Sequence, residues 1–173
     1  MRSPIIVLAT DGSAGALAAA RWVDRYLASH EPVIRVVSVI GVSSFDADIP
    51  VRGFIMDNRW LESEALRNAW HRAQSRAGEA IQKTVDQLTH CATVHAAQLE
   101  GTSPAKAILE DARHHHADMI VVGRRGHSRI GTLLGSVSFA IVHESPIPVT
   151  VVTSYPLWDS SVFDPDTASI EKG

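Results

Sequence analysis

The sequence predicts an α/β fold, an open parallel sheet of five strands with helices on both faces. Three observations predict it. Ile5–Ala9 is a short, unbroken apolar run, the pattern of a strand buried on both faces. Further β-branched runs recur along the chain, separated by segments with helical apolar spacing. Turn residues follow two of the runs, as Asp11-Gly12-Ser13 and as Gly123-Arg124-Arg125-Gly126, where a parallel strand hands the chain to the next crossover.

The elements follow in order. After the Ile5–Ala9 strand, Ser13 is an N-cap for a helix whose buried stripe is Ala16, Ala20, Val23 and Leu27. Val33–Ile40 is the second strand, β-branched through its centre. The segment 41–60 has no clean period and contains glycine, proline and aspartate, so it reads as a loop. Residues 61–88 form a long amphipathic helix with Leu66, Ala69, Ala73, Ala80, Ile81 and Leu88 near one stripe. Residues 93–99 make a third, weaker strand. Ser103-Pro104 opens a helix, with proline at the first helical position, and Ile108, Leu109 and Ala112 form its buried face. Residues 118–123 are the fourth strand, 136–143 the last helix and 147–153 the fifth strand. The sequence thus divides into a domain over 1–153 and a tail over 154–173, where proline, aspartate, serine and aromatic residues mix without a period. That tail is either loose or laid over a neighbouring subunit.

Composition narrows the function classes. The 173 residues are 45% apolar and 20% charged, enough for one domain with a real core. A formal net charge of -3 does not favour a nucleic-acid surface. No apolar run approaches the roughly 20 residues of a membrane span, and the N-terminal run is too short for a signal peptide. The single cysteine, Cys91, excludes an internal disulfide and fits a reducing, cytoplasmic setting.

Several residues are candidates for chemistry, each with an ordinary alternative. Gly123 and Gly126 could open a loop under phosphates, with Arg124 and Arg125 neutralising charge and Gly135-Ser136 presenting a helix start; the alternative is a tight turn with solvated arginines. Asp11, just past a buried strand, could accept from an adenine amino group or a ribose hydroxyl, or hold a metal; the alternative is a turn aspartate bonding its own backbone. His114-His115-His116 cannot share one metal from one helix face, since consecutive residues point about 100° apart, and they suit the last turn of a helix. His127 could touch a phosphate or stand in solvent. Trp22, Trp60 and Trp70 read as packing residues, Cys91 as structural or incidental, and Trp158 as a docking residue of the tail. No G-x-S-x-G elbow, no P-loop and no early G-x-G-x-x-G is present, and no nucleophile–base set stands out.

These residues resemble the universal stress protein family, the UspA-like domains. The opening Ile6 to Ser13 is similar to the family's first strand and its V-D-G-S turn. Ala117 to Gly126 is similar to its A-D-L-I-V-M-G-x-x-G segment, and Leu133 to Ser138 with Pro146 to Val149 to its L-L-G-S-V and P-V-L-V-V close. Gly101-Thr102-Ser103-Pro104 also fits. The resemblance spans residues 5–153. The ATP-binding branch carries G-x2-G-x9-G-S/T; here Gly123, Gly126, Gly135 and Ser136 are in place, but eight residues, not nine, separate Gly126 from Gly135.

The resemblance implies a Rossmann-like fold, of the adenine nucleotide alpha hydrolase type, with strand order 3-2-1-4-5. It implies adenine and ribose contacts from Ala9, Asp11, Val39 and Val122, and phosphate contacts from Gly123, Arg125, Gly126, Gly135, Ser136 and Val137. ATP is the implied ligand, with Mg2+ a candidate companion, and a homodimer through the fifth strand the implied assembly. The function implied is a stress-response sensor or accessory protein that binds adenine nucleotide and acts on an unknown protein partner, with no efficient turnover. Two alternatives stand beside it: a stress protein that has lost its ligand and works through dimer and partner contacts, and a slow ATP hydrolase.

Overall fold

A computed structural model describes residues 2–41, 64–124 and 134–153. It contains β1 (Ile5–Ala9), α1 (Ala14–Tyr26), a 3-10 turn (Ala28–His30), β2 (Val33–Ile40), α2 (Glu64–Val85), β3 (Thr93–Glu100), α3 (Pro104–His114), β4 (Met119–Gly123), α4 (Ser136–Glu144) and β5 (Val149–Val152). All four strand pairs are parallel and the order is β3-β2-β1-β4-β5, as the resemblance implied. The 41–60 loop from residue 42 on, the first three residues expected in the long helix, Trp60, Arg125, Gly126, His127 and the 154–173 tail lie outside the described residues.

The strands sort their side chains to two faces. Ile6, Leu8, Ile34, Val36, Val121 and Val152 pack with Ala19, Ala20 and Val23 of α1 and Ile81 of α2. Val7, Val37, Ile120 and Val122 pack on the other face with Ala105, Ile108 and Ala112 of α3 and Ile141 of α4. Both faces are therefore apolar in β1 and β4, which is why those strands read as continuous runs instead of alternating ones. The caps stand where the sequence placed them. Ser13 Oγ accepts from the Ala16 N–H at 3.3 Å, and Ser103 caps α3 with Pro104 at its first position.

Two boundaries differ from the sequence reading by two residues or more. The fifth strand starts at Val149 instead of residue 147, since Pro148 has no N–H to give the ladder and only its carbonyl is used, by the Ile120 N–H at 2.9 Å. The last two helical positions expected before Leu88 have left α2 by Asp86, where the chain tightens through Gln87 N–H to Thr84 O and Leu88 N–H to Val85 O. Leu88 is nevertheless buried.

Charged groups tie helices to the sheet. Arg35 of β2 and Asp111 of α3 form a two-pronged pair, Nε to Oδ2 and Nη2 to Oδ1 both 2.7 Å, with side chains 17% and 6% exposed. On the other face, Asp24 of α1 accepts from the His90 N–H, the His90 ring and the Thr89 hydroxyl. Burial works to raise the Asp24 pKa, but those hydrogen bonds outweigh it and hold the carboxyl below its ordinary value. The stabilisation it supplies is present above the ordinary aspartate range and is lost as pH falls through the depressed value.

Removing one partner of the β2–α3 pair leaves a buried charge. Asp111→Leu alone is expected to cost about 3–5 kcal/mol in chemical denaturation, while Arg35→Met with Asp111→Leu recovers most of that loss. Equal losses in the single and the double variant would show that the pair contributes no more than packing.

The candidate adenine-nucleotide crevice

β1 and β4 are adjacent, so their C-terminal ends open on one crevice. Ala9 of β1 is level with Val37 of β2 and Val122 of β4, and Gly123 is level with Val152. Ala9, Val39, Val122 and Val137 pack in one apolar cluster on the α3–α4 face. Val122 is buried and the other three are half-buried.

The β4 tip lies against the first turn of α1. A Cβ at Gly123 would stand 2.5 Å from Gly15 C, 2.7 Å from Gly15 O and 2.8 Å from Ala16 N. All three are main-chain atoms that cannot step aside, so glycine at 123 is first a packing requirement. Sequence reasoning offered it to phosphate or to a tight turn, not to helix–strand packing. Gly15 was missed; a glycine in the first turn of a helix, three residues after Gly12, was the available signal.

Asp11 is exposed at the rim, and its Oδ1 accepts the Ser13 N–H at 3.0 Å. The ordinary reading of this residue, a turn aspartate on its own backbone, thus describes one of its carboxylate oxygens. Gly12 takes φ +74 with its N–H donated to Thr10 Oγ1 at 3.0 Å. Thr10 and its hydroxyl partner Thr84 were also missed, because nothing in a 74-residue separation marks the pair in advance.

At the other side of the crevice, α4 starts without a side-chain cap. Gly135 is the N-cap at φ -62, ψ 155, and the first intrahelical bond is the Phe139 N–H to Gly135 O at 2.8 Å. Among the described residues no acceptor meets the N–H groups of Ser136, Val137 or Ser138. Ser136 is exposed, and Gly135 and Val137 are half-buried. The Gly135 N–H is already used: the Arg124 carbonyl accepts it at 2.9 Å and lies 2.9 Å from the Ser138 hydroxyl as well. That hydroxyl also reaches Gly135 O at 2.9 Å, and its one proton serves the two carbonyls by turns or by sharing. Ser138, 4% exposed, was not anticipated, and with Gly135 it closes the neck of the Arg124–Gly135 segment.

The remaining candidates among the described residues lie elsewhere in the fold. His114 ends α3, His115 is its C-cap with Nε2 3.7 Å from Asp111, and His116 has φ 51, so the three histidines occupy the helix end as expected. No group of three or more metal-ligating side chains occurs among the described residues. Cys91 is buried, and burial, with the Asp24 charge behind it, pushes its thiol pKa up to about 11, far from a working nucleophile. Trp22 and Trp70 pack against core clusters. No helix among the described residues is long and apolar enough to cross a membrane.

The universal stress protein family profile matches residues 3–153. The chain belongs to that family. A universal stress protein of Methanocaldococcus jannaschii is 31% identical over 149 residues, 85% of this chain and 80% of that protein. One of Thermus aquaticus is 41% identical over 90 residues, which span 51% of this chain and 61% of that protein's length. Among solved structures, the universal stress protein UspA of Lactobacillus plantarum superposes with TM-score 0.63 at 21% identity, over 88% of this chain and 99% of its own. A universal stress protein of Archaeoglobus fulgidus in complex with dAMP gives 0.58 at 19%, over 87% and 98%. A further structure, of a universal stress protein in complex with cAMP, gives 0.52 at 20%, over 89% and 99%. At these identities the structural likenesses speak for the fold.

Gly123→Ala is expected to destabilise this universal stress protein by about 1–3 kcal/mol or more, through the forced separation of β4 from α1. Gly78→Ala is the control: its Cβ meets only the flexible end of Gln98, at 3.2 Å, and the change is expected to be neutral or mildly stabilising. Thermal melts of both variants decide the matter; an undisturbed Gly123→Ala protein contradicts the contact.

Proposed function

We propose that this universal stress protein binds an adenine nucleotide, ATP by the motif, in the crevice between the β1 and β4 tips and the start of α4. The observation that carries the reading is the uncapped first turn of α4. Three N–H groups at the positive end of that helix meet no acceptor among the described residues, and Val137 of its first turn shares an apolar cluster with Ala9, Val39 and Val122. Such a helix end suits a phosphate, and such a cluster suits a base. Two structurally similar universal stress proteins were solved with cAMP and dAMP, ligands that share an adenine base and one phosphate.

The roles divide along the crevice. Ala9, Val39 and Val122 face the adenine and ribose, with Asp11 at the rim as an acceptor. Ser136 and Val137 give main-chain N–H groups to phosphate. Gly123 and Gly135 let the backbone approach, and Arg125 and Gly126, outside the described residues, complete the phosphate loop. Mg2+ would accompany a triphosphate. The reading assigns binding and no turnover. The bound state is what a protein partner reads, in a cytoplasmic homodimer that joins along β5, an edge strand whose described pairing is with β4. A second reading, a stress protein without ligand, draws on the Gly135 N–H, which is spent on the Arg124 carbonyl instead of facing the crevice.

Titration calorimetry with dAMP, ATP and adenosine separates these readings. Ser136→Pro removes one candidate phosphate donor at the first helical position, and Gly135 already has the extended conformation that proline demands of its predecessor. The expected outcome is binding by the wild-type protein and a loss of about tenfold or more in Ser136→Pro, the worth of one hydrogen bond to a charged group. Ser136→Ala keeps that N–H and should bind much as the wild type does, and adenosine should not respond to any of these changes. No heat with either nucleotide favours the ligand-free reading.

A further inference from the structure

The β1–α1 turn is held from a distance. Thr84, on α2, is fully buried, and its Oγ1 lies 2.8 Å from Ala80 O and 2.7 Å from Thr10 Oγ1. A threonine hydroxyl has one proton, and Thr84 directs it back to the carbonyl four residues earlier. At the Thr10 contact Thr84 is therefore the acceptor and Thr10 the donor. The lone pairs left on Thr10 Oγ1 receive the Gly12 N–H at 3.0 Å. The chain runs in one direction, from Gly12 N–H through two hydroxyls to Ala80 O. The same turn of α2 supplies a steric stop: a Cβ at Gly12 would come within 3.1 Å of Ala80 Cβ and 3.2 Å of its Cα. Gly12, at φ +74, is thus gripped by its hydrogen bond to Thr10, which Thr84 holds in turn, and sits against Ala80 with little room for a Cβ. Its neighbours Asp11 and Ser13, joined by their own 3.0 Å bond, have their placement set by that grip.

We infer that Thr84 is a positioning residue of the nucleotide crevice, which sets the orientation of the Asp11–Ser13 turn through Thr10 and touches no ligand itself. This rests on the nucleotide reading given above. It places a determinant of affinity on α2, outside every motif segment, where the sequence offers no hint of it.

The test uses the full chain with dAMP as the probe, and NMR amide exchange at Gly12. In the wild type the Gly12 amide should exchange at least a hundredfold more slowly than an unstructured glycine. Thr84→Val keeps the shape and removes the hydroxyl; it should lose at least tenfold of that protection and at least fivefold in dAMP affinity. Thr84→Ser should restore both to within twofold. Leu88→Ala, a core truncation just beyond α2, should lower the Tm and leave dAMP affinity within twofold. Equal dAMP affinity in wild type and Thr84→Val overturns the inference, as does failure of the serine variant to restore it, or a loss in Leu88→Ala as large as in Thr84→Val. Should Thr84→Val not fold, a Gly12 amide that exchanges at the unstructured rate in the wild type or in Thr84→Ser overturns it. A wild-type protein that ignores dAMP while Gly12 stays protected overturns the nucleotide reading, and with it the role given to Thr84, but leaves the hydroxyl chain standing.

Discussion

The contact between two glycine backbones, Gly123 at the tip of β4 and Gly15 in the first turn of α1, is the constraint on which the crevice depends. With only 2.5 Å available where a Cβ would sit, any side chain at 123 has to push the strand and the helix apart. That closeness brings the Ser13-capped start of α1 and the end of β4 to one place. From there the chain continues through Arg124, whose N–H is held by Val152 O at 2.7 Å and whose carbonyl is held by Gly135. The start of α4 is therefore located by a short series of main-chain bonds that begins at the glycine contact. A site that relies on backbone N–H groups needs this kind of placement, since no flexible side chain can make up an error of an ångström.

The helices that surround the crevice are kept in register by polar pairs on opposite faces of the sheet. Arg35 and Asp111 join β2 to α3, and Asp24 joins α1 to the turn before β3. At the far end of the sheet Asp118 accepts from the Ile5 N–H and from Arg2, and the Ile5 bond does most to hold its carboxyl below the ordinary range. The apolar clusters supply bulk burial, which is non-directional. The paired charges supply direction, joining α3 to β2 and α1 to the turn before β3 at defined residues.

Much of this was legible in the sequence, and for physical reasons. Burial of β1 and β4 on both faces makes Ile5–Ala9 and Met119–Gly123 nearly continuous apolar runs, so strand character needed no further context. Ser13, Ser103 and Pro104 announce helix starts because capping is a local interaction. Strand order is not local, and it came from resemblance to a family. The crevice divides in the same way. Gly123, Gly135 and Ser136 could be named from their sequence pattern, whereas Thr84, Gly15 and Ser138 act through partners far along the chain or through a carbonyl that no sequence pattern displays. Asp11 shows the limit most clearly: the sequence marked the residue and left open whether it serves a ligand or its own turn, and the Ser13 bond shows that it serves at least the turn.

The central claim is that main-chain N–H groups at the start of α4 hold the phosphate of an adenine nucleotide beside the β1 and β4 tips. A crystal structure of the protein soaked or grown with dAMP tests it most directly. The account predicts phosphate oxygens within hydrogen-bond distance of the Ser136 and Val137 N–H groups, with the base against Val39 and Val122. Density for the nucleotide elsewhere, or a crevice that remains empty at saturating dAMP with the α4 N–H groups turned to other acceptors, would contradict it.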